Sequence, residues 1–474
     1  MTPLHDATFS AIDNLILRMP SGFRIGAATS SWQIEGSSHL RGRSMWEDFA
    51  AIPGKIVDGA QADPACDHFN RWEEDLDLLA WLGVDSYRFS ISWPRILHDG
   101  VGKVDPAGIA FYDRLIDGLL LRNIEPVITI YHWDLPSALE SKGGWTWAGI
   151  DDAFAEYTEV LAKKFVDRTA MWATLNEPWC SAFLGYADTV MAPGKGDGAA
   201  GLEAAYRLMV AHGRSMEVLR QYNAKNAGTV LNLMTVIAED KGAESAARHI
   251  DGLQNRIWLD LLAGRGVPQD ILEGTRHLTD WSFIKESELE SISAPIDWLG
   301  VNYYAPIRIA SAPDGGEAGD GDHHTRPLSV PGVPPFLFVP RPPHTEMGWE
   351  IHPESLTSTL QQTQERLPGV PIYITENGGA FPDEMVNGSI DDQDRVEYFQ
   401  SHMDAALKAQ EAGVDLRGYF AWSLLDNLEW AEGLTKCFGL FHVNNQSQKR
   451  TAKTSAYFFR ELLARLKPES DRIS

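Results

Sequence analysis

Eight short and almost uninterrupted apolar runs, each followed by an amphipathic stretch, constrain this chain more than any other feature of its sequence. The runs occupy residues 23–34, 86–93, 126–133, 170–176, 229–237, 298–304, 372–375 and 417–424. Strands buried on both faces read this way, because neither face alternates with solvent. Between them, residues 71–82 place Trp72, Leu76, Leu79 and Ala80 on one side and acids opposite, as a helix half-sunk in a core does. Residues 150–165 and 394–412 have the same pattern. Strand–helix alternation repeated eight times predicts an α/β fold, a (β/α)₈ TIM barrel. The 474 residues exceed an average domain, but barrels of this kind often run well past 250 residues, so residues 1–474 are read as a single domain.

The segment at about 310–345 departs from this regularity. It is rich in Gly, Pro and Asp and is read as a long irregular loop at the barrel mouth. His323 and His324 in its middle are read as exposed loop residues rather than metal ligands. The net charge of −25 would repel nucleic acid and anionic membranes, so neither is expected as a partner. No stretch approaches the roughly 20 apolar residues of a membrane span. Three scattered cysteines, Cys66, Cys180 and Cys437, suggest neither a disulfide framework nor a zinc cluster. Asp6 and Asp13 interrupt the first twenty residues, so no signal peptide is read and the cytoplasm is expected. The Asn-x-Ser triplets at Asn387 and Asn445 are then chance matches.

The chemistry-bearing residues gather at the ends of the apolar runs. Gln33, Arg88, His132–Trp133, Asn176–Glu177, Asn302–Tyr304, Glu376–Asn377 and Trp422 all stand there. In an eight-stranded barrel these carboxyl ends converge on one face, where such enzymes hold their active sites. Several of the sixteen Trp lie beside Asn, Glu, His or Gln, and flat rings next to hydrogen-bonding groups suit a sugar's apolar faces and polar rim. Glu177 and Glu376 close the fourth and seventh runs, nearly opposite across the mouth. Paired carboxylates facing one pocket suggest glycoside hydrolysis, with one protonated and one ionised. A separation of about 5–5.5 Å would make the second a nucleophile with retention, and a wider gap would admit water and inversion. From the residues alone the reading is a carboxylate-pair barrel enzyme with an aromatic, sugar-like pocket.

An ordered set of motifs says more. Residues 29–36 (TSSWQIEG), 87–96 (YRFSISWPRI), 131–136 (YHWDLP), 174–178 (TLNEP), 301–304 (VNYY), 372–378 (IYITENG) and 421–430 (AWSLLDNLEW) resemble glycoside hydrolase family 1. Residues 53–57 (PGKIV), 66–70 (CDHFN) and 436–450 (KCFGLFHVNNQSQKR) do so as well. The resemblance is collinear over nearly the whole chain and implies a retaining β-glycosidase, foremost a β-glucosidase, acting on a small β-glycoside without cofactor or metal. It implies Glu177 as acid/base and Glu376 as nucleophile, with Tyr304 hydrogen-bonded to Glu376 and Arg88 keeping it ionised. By the same likeness Asn176 grips the sugar 2-hydroxyl and Asn302 supports the acid/base. Gln33, His132, Trp133, Glu429 and Trp430 clamp the other hydroxyls, Trp422 is the stacking floor, and Trp349 is the platform under the leaving group. A cis peptide is expected after Trp422. Pro178 is expected to confine Glu177 to extended backbone. Trp32, Cys437 and Asn444 stand where the family commonly has Tyr, Arg and Asp.

Two rival readings are weaker. A 6-phospho-β-glycosidase shares both carboxylates, but Glu429 would repel a phosphate dianion and Phe438 has no hydroxyl to offer it. A non-catalytic sugar binder on the same scaffold would have lost one carboxylate, and both are present.

Overall fold

A computed structural model describes residues 4–312 and 326–466. His323 and His324 lie outside the described residues. Eight strands, labelled β1 to β8 in chain order, close into a ring: Arg24–Ala28, Ser86–Ser90, Glu125–Tyr131, Met171–Asn176, Ala227–Asn232, Trp298–Asn302, Ile372–Asn377 and Leu416–Trp422. Neighbours are parallel, from Gly26↔Ser86 between β1 and β2 to Arg24↔Gly418, which joins β1 to β8 and closes the barrel. Because successive side chains alternate, each strand feeds two cores. Ile128, Ile130, Tyr87 and Phe89 join the large cluster shared with the outer helices, whereas Val127, Met171, Ala173, Val230, Trp298 and Phe420 form a separate inner cluster.

The outer helices follow local rules. Ile150–Phe165 buries Ile150, Ala153, Phe154, Tyr157, Leu161 and Phe165, an apolar stripe at helical spacing. Its first turn carries Asp151 and Asp152 and its last turn Lys163 and Lys164, each matched to the helix dipole. Asp105 caps Pro106–Leu121 by accepting from the Ala107 N–H at 2.9 Å. No helix among the described residues is long and apolar enough to cross a membrane.

Three expectations need correction. The first apolar run does not stay a strand to residue 34. β1 ends at Ala28, the Ser31 N–H turns aside to Ser90 Oγ at 2.7 Å, and Ser31–Ile34 forms a helical turn. Gln33 therefore rides a helix rather than a strand. The run at 229–237 is two elements: β5 ends at Asn232, and Val236–Ala238 belongs elsewhere. The break is held by Asn255, whose side-chain amide bonds both the N–H and the C=O of Met234, at 3.0 and 2.8 Å. Finally, the segment near 310–345 is not wholly irregular. Ile307–Ser311 pairs in parallel with Val236–Ala238 and antiparallel with Phe336–Phe338, a small sheet outside the barrel.

Candidate active site

The side chains at the carboxyl end of the ring surround one concave cavity. His132, Trp133, Glu177, Tyr304, Trp349, Glu376, Trp422, Glu429 and Trp430 line it. Arg88, Asn176, Asn302 and Gln33 are fully buried directly behind that lining. Gln33 donates to Asn427 Oδ1 and the Leu428 carbonyl, so it braces the loop that carries Glu429 and Trp430. The structure thus assembles the thirteen candidate site residues, from Gln33 to Trp430, at one end of the barrel.

Strand irregularity helps aim the two central carboxyls. The β4–β5 register shifts between Ala173 and Asn176, and the β6–β7 register shifts between Ile374 and Glu376. Such bulges redirect a side chain at a strand end. Glu177 does not take the extended backbone expected before a proline. Its φ is 46°, in the left-handed region. It is kept there by its N–H bonding the Val230 carbonyl at 2.9 Å while its C=O accepts from Cys180 N at 3.0 Å. The tertiary bond to Val230, with the turn bond from Cys180, outweighs the local preference. Beside Glu376, Gly378 is compulsory: a Cβ there would lie 1.9 Å from the Trp422 carbonyl oxygen. The Trp422–Ser423 peptide is cis.

Glu376 accepts from Arg88 Nη1 and from the Tyr304 hydroxyl, one on each oxygen and both at 2.6 Å. Glu177 accepts from the Asn302 amide at 2.6 Å and from the Cys180 thiol at 3.2 Å. Asn176 joins the two halves, since its Oδ1 accepts from both Arg88 and Asn302. Burial pushes both carboxyls up. Glu177 reaches about 8, through burial first and the charge of Glu376 second. Glu376 also rises through burial, but the Arg88 cation and the Tyr304 hydroxyl oppose that rise. Glu429, one of whose oxygens has no protein partner, is pushed to about 8 by burial and by Glu376 and Glu177. Burial and the Arg88 cation hold His132 well below the usual imidazole range, so it is neutral, and its Nε2 faces Asn176 Nδ2 at 3.1 Å.

A stack of rings supports one side. Trp133 and Trp430 lie 4.4 Å apart, and Trp32, the residue in place of the commoner Tyr, stacks on Trp430 at 5.5 Å and 4°. The loop after β8 is pinned by Asp426, which accepts from Lys453 Nζ at 2.6 Å and from the Gly439 N–H at 2.9 Å. Asp383, Asp426 and Cys437 come close together, but the Lys453 ammonium already bonds both carboxylates.

The sequence profile of glycosyl hydrolase family 1 matches residues 16–467. The chain belongs to glycosyl hydrolase family 1. It is a glycoside hydrolase. Among relatives it is 41% identical to β-glucosidase A of Thermotoga maritima, over 94% of this chain and 97% of that one. It is 40% identical to the bifunctional β-D-glucosidase/β-D-fucosidase of Bifidobacterium breve, over 94% and 98%. The crystal structure of the AHE enzyme from Alicyclobacillus herbarius superposes with a TM-score of 0.90 at 38% identity, covering 95% of this chain and 98% of that one. The family 1 β-glucosidase of Thermotoga maritima superposes at 0.87 with 40% identity, over 95% and 99%.

Several residues lining this family 1 cavity were not singled out from sequence: Leu184, Met191, Asn232, Met234 and Met347. Cys180, noted there only as one of three scattered cysteines, bonds Glu177 directly. Its spacing of three residues from the glutamate was a usable signal. The methionines come from three separate loops and had none.

Proposed function

We propose that the chain is a retaining β-glucosidase in which Glu376 is the nucleophile and Glu177 the acid/base. The observation that carries this is the unlike surroundings of two carboxyls lining one cavity. Glu376 has a guanidinium on one oxygen and a phenol on the other, which favours its ionised form. Glu177 has only neutral donors and feels the charge of Glu376, which keeps its proton on at neutral pH. In the first step a Glu376 oxygen bonds the anomeric carbon as the bond to the aglycone oxygen breaks, and Glu177 gives that oxygen its proton. In the second, Glu177 takes a proton from water, the water oxygen bonds the anomeric carbon, and Glu376 leaves with its electron pair. An alcohol in place of water gives transglycosylation.

Asn176, held between Arg88 and Asn302, is proposed to grip the sugar 2-hydroxyl. Gln33, His132, Trp133, Glu429 and Trp430 are proposed to bind the remaining hydroxyls over Trp422, with Trp349 beneath the leaving group. Side activity on β-fucosides and β-galactosides is expected, in line with the Bifidobacterium breve relative. A 6-phosphate is disfavoured, since no Lys or Arg is among the described residues lining the cavity to meet its charge. The cytoplasm is proposed as its location, in keeping with three free thiols. Hydrolysis of p-nitrophenyl β-D-glucoside followed by NMR tests the mechanism: β-glucose must appear first. Initial release of α-glucose would overturn it.

A further inference from the structure

The cavity has two unlike sides. His132 and Trp133 follow β3, Trp422, Glu429 and Trp430 close or follow β8, and the β1 end braces them through Gln33. These are polar atoms and rings, and they were absorbed into the sugar site above. The other side comes mainly from the loops after β4, β5 and β6, and its members are Leu184 and Met191, Met234, and Met347 with Trp349, closed by Phe438. Tyr304, Trp349 and Phe438 form an aromatic corner with ring centroids 5.3 to 6.2 Å apart. Met347 and Trp349 are half-buried and pack on the cluster containing Trp422 and Phe438.

The position of Glu177 says what this second side faces. Its proton goes to the aglycone oxygen, so the aglycone must lie against the loop that Glu177 begins, the loop of Leu184 and Met191. The polar atoms there are largely committed. Cys180 Sγ bonds Glu177 and receives the Asn232 amide at 3.6 Å, and the one charged side chain nearby, half-exposed Glu432, belongs to the loop after β8 on the sugar side. A second sugar bound here would surrender water from several hydroxyls with few partners in return, which costs affinity. An apolar aglycone loses nothing polar, and three thioethers adapt to its outline.

Resting on the glucosidase reading above, we infer that this family 1 site selects apolar aglycones, alkyl or aryl, over a second sugar, through the wall of Met191, Met234, Met347 and Leu184. Each methylene buried against such a wall is worth roughly fourfold in binding. The test compares n-octyl β-D-glucoside, methyl β-D-glucoside and cellobiose, whose leaving groups are all unactivated alcohols. kcat/KM for the octyl glucoside is expected to exceed that for the methyl glucoside by at least about a hundredfold and that for cellobiose by tenfold or more. In Met347→Gln, and separately in Met191→Gln, both at half-buried positions, the octyl-to-methyl ratio should fall several-fold. Equal values for octyl and methyl glucosides, or a higher value for cellobiose, would overturn the inference. Calorimetry with the octyl and methyl 1-thio-β-D-glucosides reads the wall without the chemistry. Equal affinities there sink the apolar wall even if glucosides are hydrolysed. A hundredfold preference for the octyl compound with no glucoside hydrolysed upholds the wall and sinks the glucosidase reading instead.

Discussion

At the end of β7, Glu376 is held by a guanidinium and a phenol; at the end of β4, Glu177 is held by an amide and a thiol. Both carboxyls are buried, and both strands carry a register shift at that point. Burial is therefore nearly the same even though Glu177 takes a left-handed turn just past β4 and Glu376 lies within β7, and the difference in acidity comes from partners supplied by other strands. Arg88 is contributed by β2 and Tyr304 lies just beyond β6, whereas Cys180 comes from the loop that Glu177 itself begins. A barrel makes this possible because side chains from any strand can reach the same mouth. The lesson is that partners rather than exposure separate the two carboxyls, since only Glu376 has a cation against it.

The largest expected effect comes from removing one member of the comparison. Glu376→Ala should lower kcat on the order of 10⁵-fold for every glucoside, because no other group can bond the anomeric carbon. Circular dichroism should show the fold retained, and comparable activity would remove Glu376 from the mechanism. Glu177→Gln should act selectively. Glucosides with alkyl leaving groups should lose about 10²–10⁴-fold, and a dinitrophenyl glucoside far less in its first step, since its oxygen departs without a proton. Equal losses for both substrates would contradict the acid role.

Tyr304→Phe weakens the ionised side of the comparison without removing it. A hydrogen bond to a charged group contributes about 1.5–3 kcal/mol, and the hydroxyl stabilises only the carboxylate form of Glu376. Its loss raises the carboxyl's pKa further. The proposed nucleophile role needs Glu376 ionised, so the acidic limb of kcat/KM against pH should move to higher pH by about one unit. An unmoved limb would mean that Arg88 alone sets the charge.

Much of this arrangement was legible before the fold was seen, and what was missed has a common cause. The strand cores of β2, β3, β4 and β8 could be read because burial on both faces leaves continuous apolar runs. Their endpoints could not, because they depend on distant side chains: Ser90 draws Ser31 out of the first run, and Asn255 ends the fifth by bonding Met234. The left-handed turn at Glu177 was misjudged for the same reason. Pro178 is a local signal, while the bond to the Val230 carbonyl is not. The apolar wall was invisible because Met191, Met234 and Met347 share no spacing and meet only when three loops close over the barrel.

The finest probe of the comparison is Cys180, the weakest of the four donors. Its thiol reaches Glu177 Oε2 at 3.2 Å, and burial pushes its own pKa well above the ordinary thiol range, so it stays protonated and donates to that carboxyl. Donation favours the ionised form of Glu177 and so lowers a pKa that burial has pushed up to about 8. The proposed acid role requires Glu177 protonated, so the alkaline limb of kcat/KM should fall as pH rises through that value. Cys180→Ala removes the donor, and the limb should move up by a few tenths of a unit, since S–H is a weak donor. Cys180→Ser offers a stronger O–H donor and should move it down. The order of alkaline limbs is then Ser below Cys below Ala, with the acidic limb assigned to Glu376 moving less. Three coincident alkaline limbs would mean that the thiol only fills space. In that case burial and the charge of Glu376, set against the Asn302 amide, would account for the proton on Glu177.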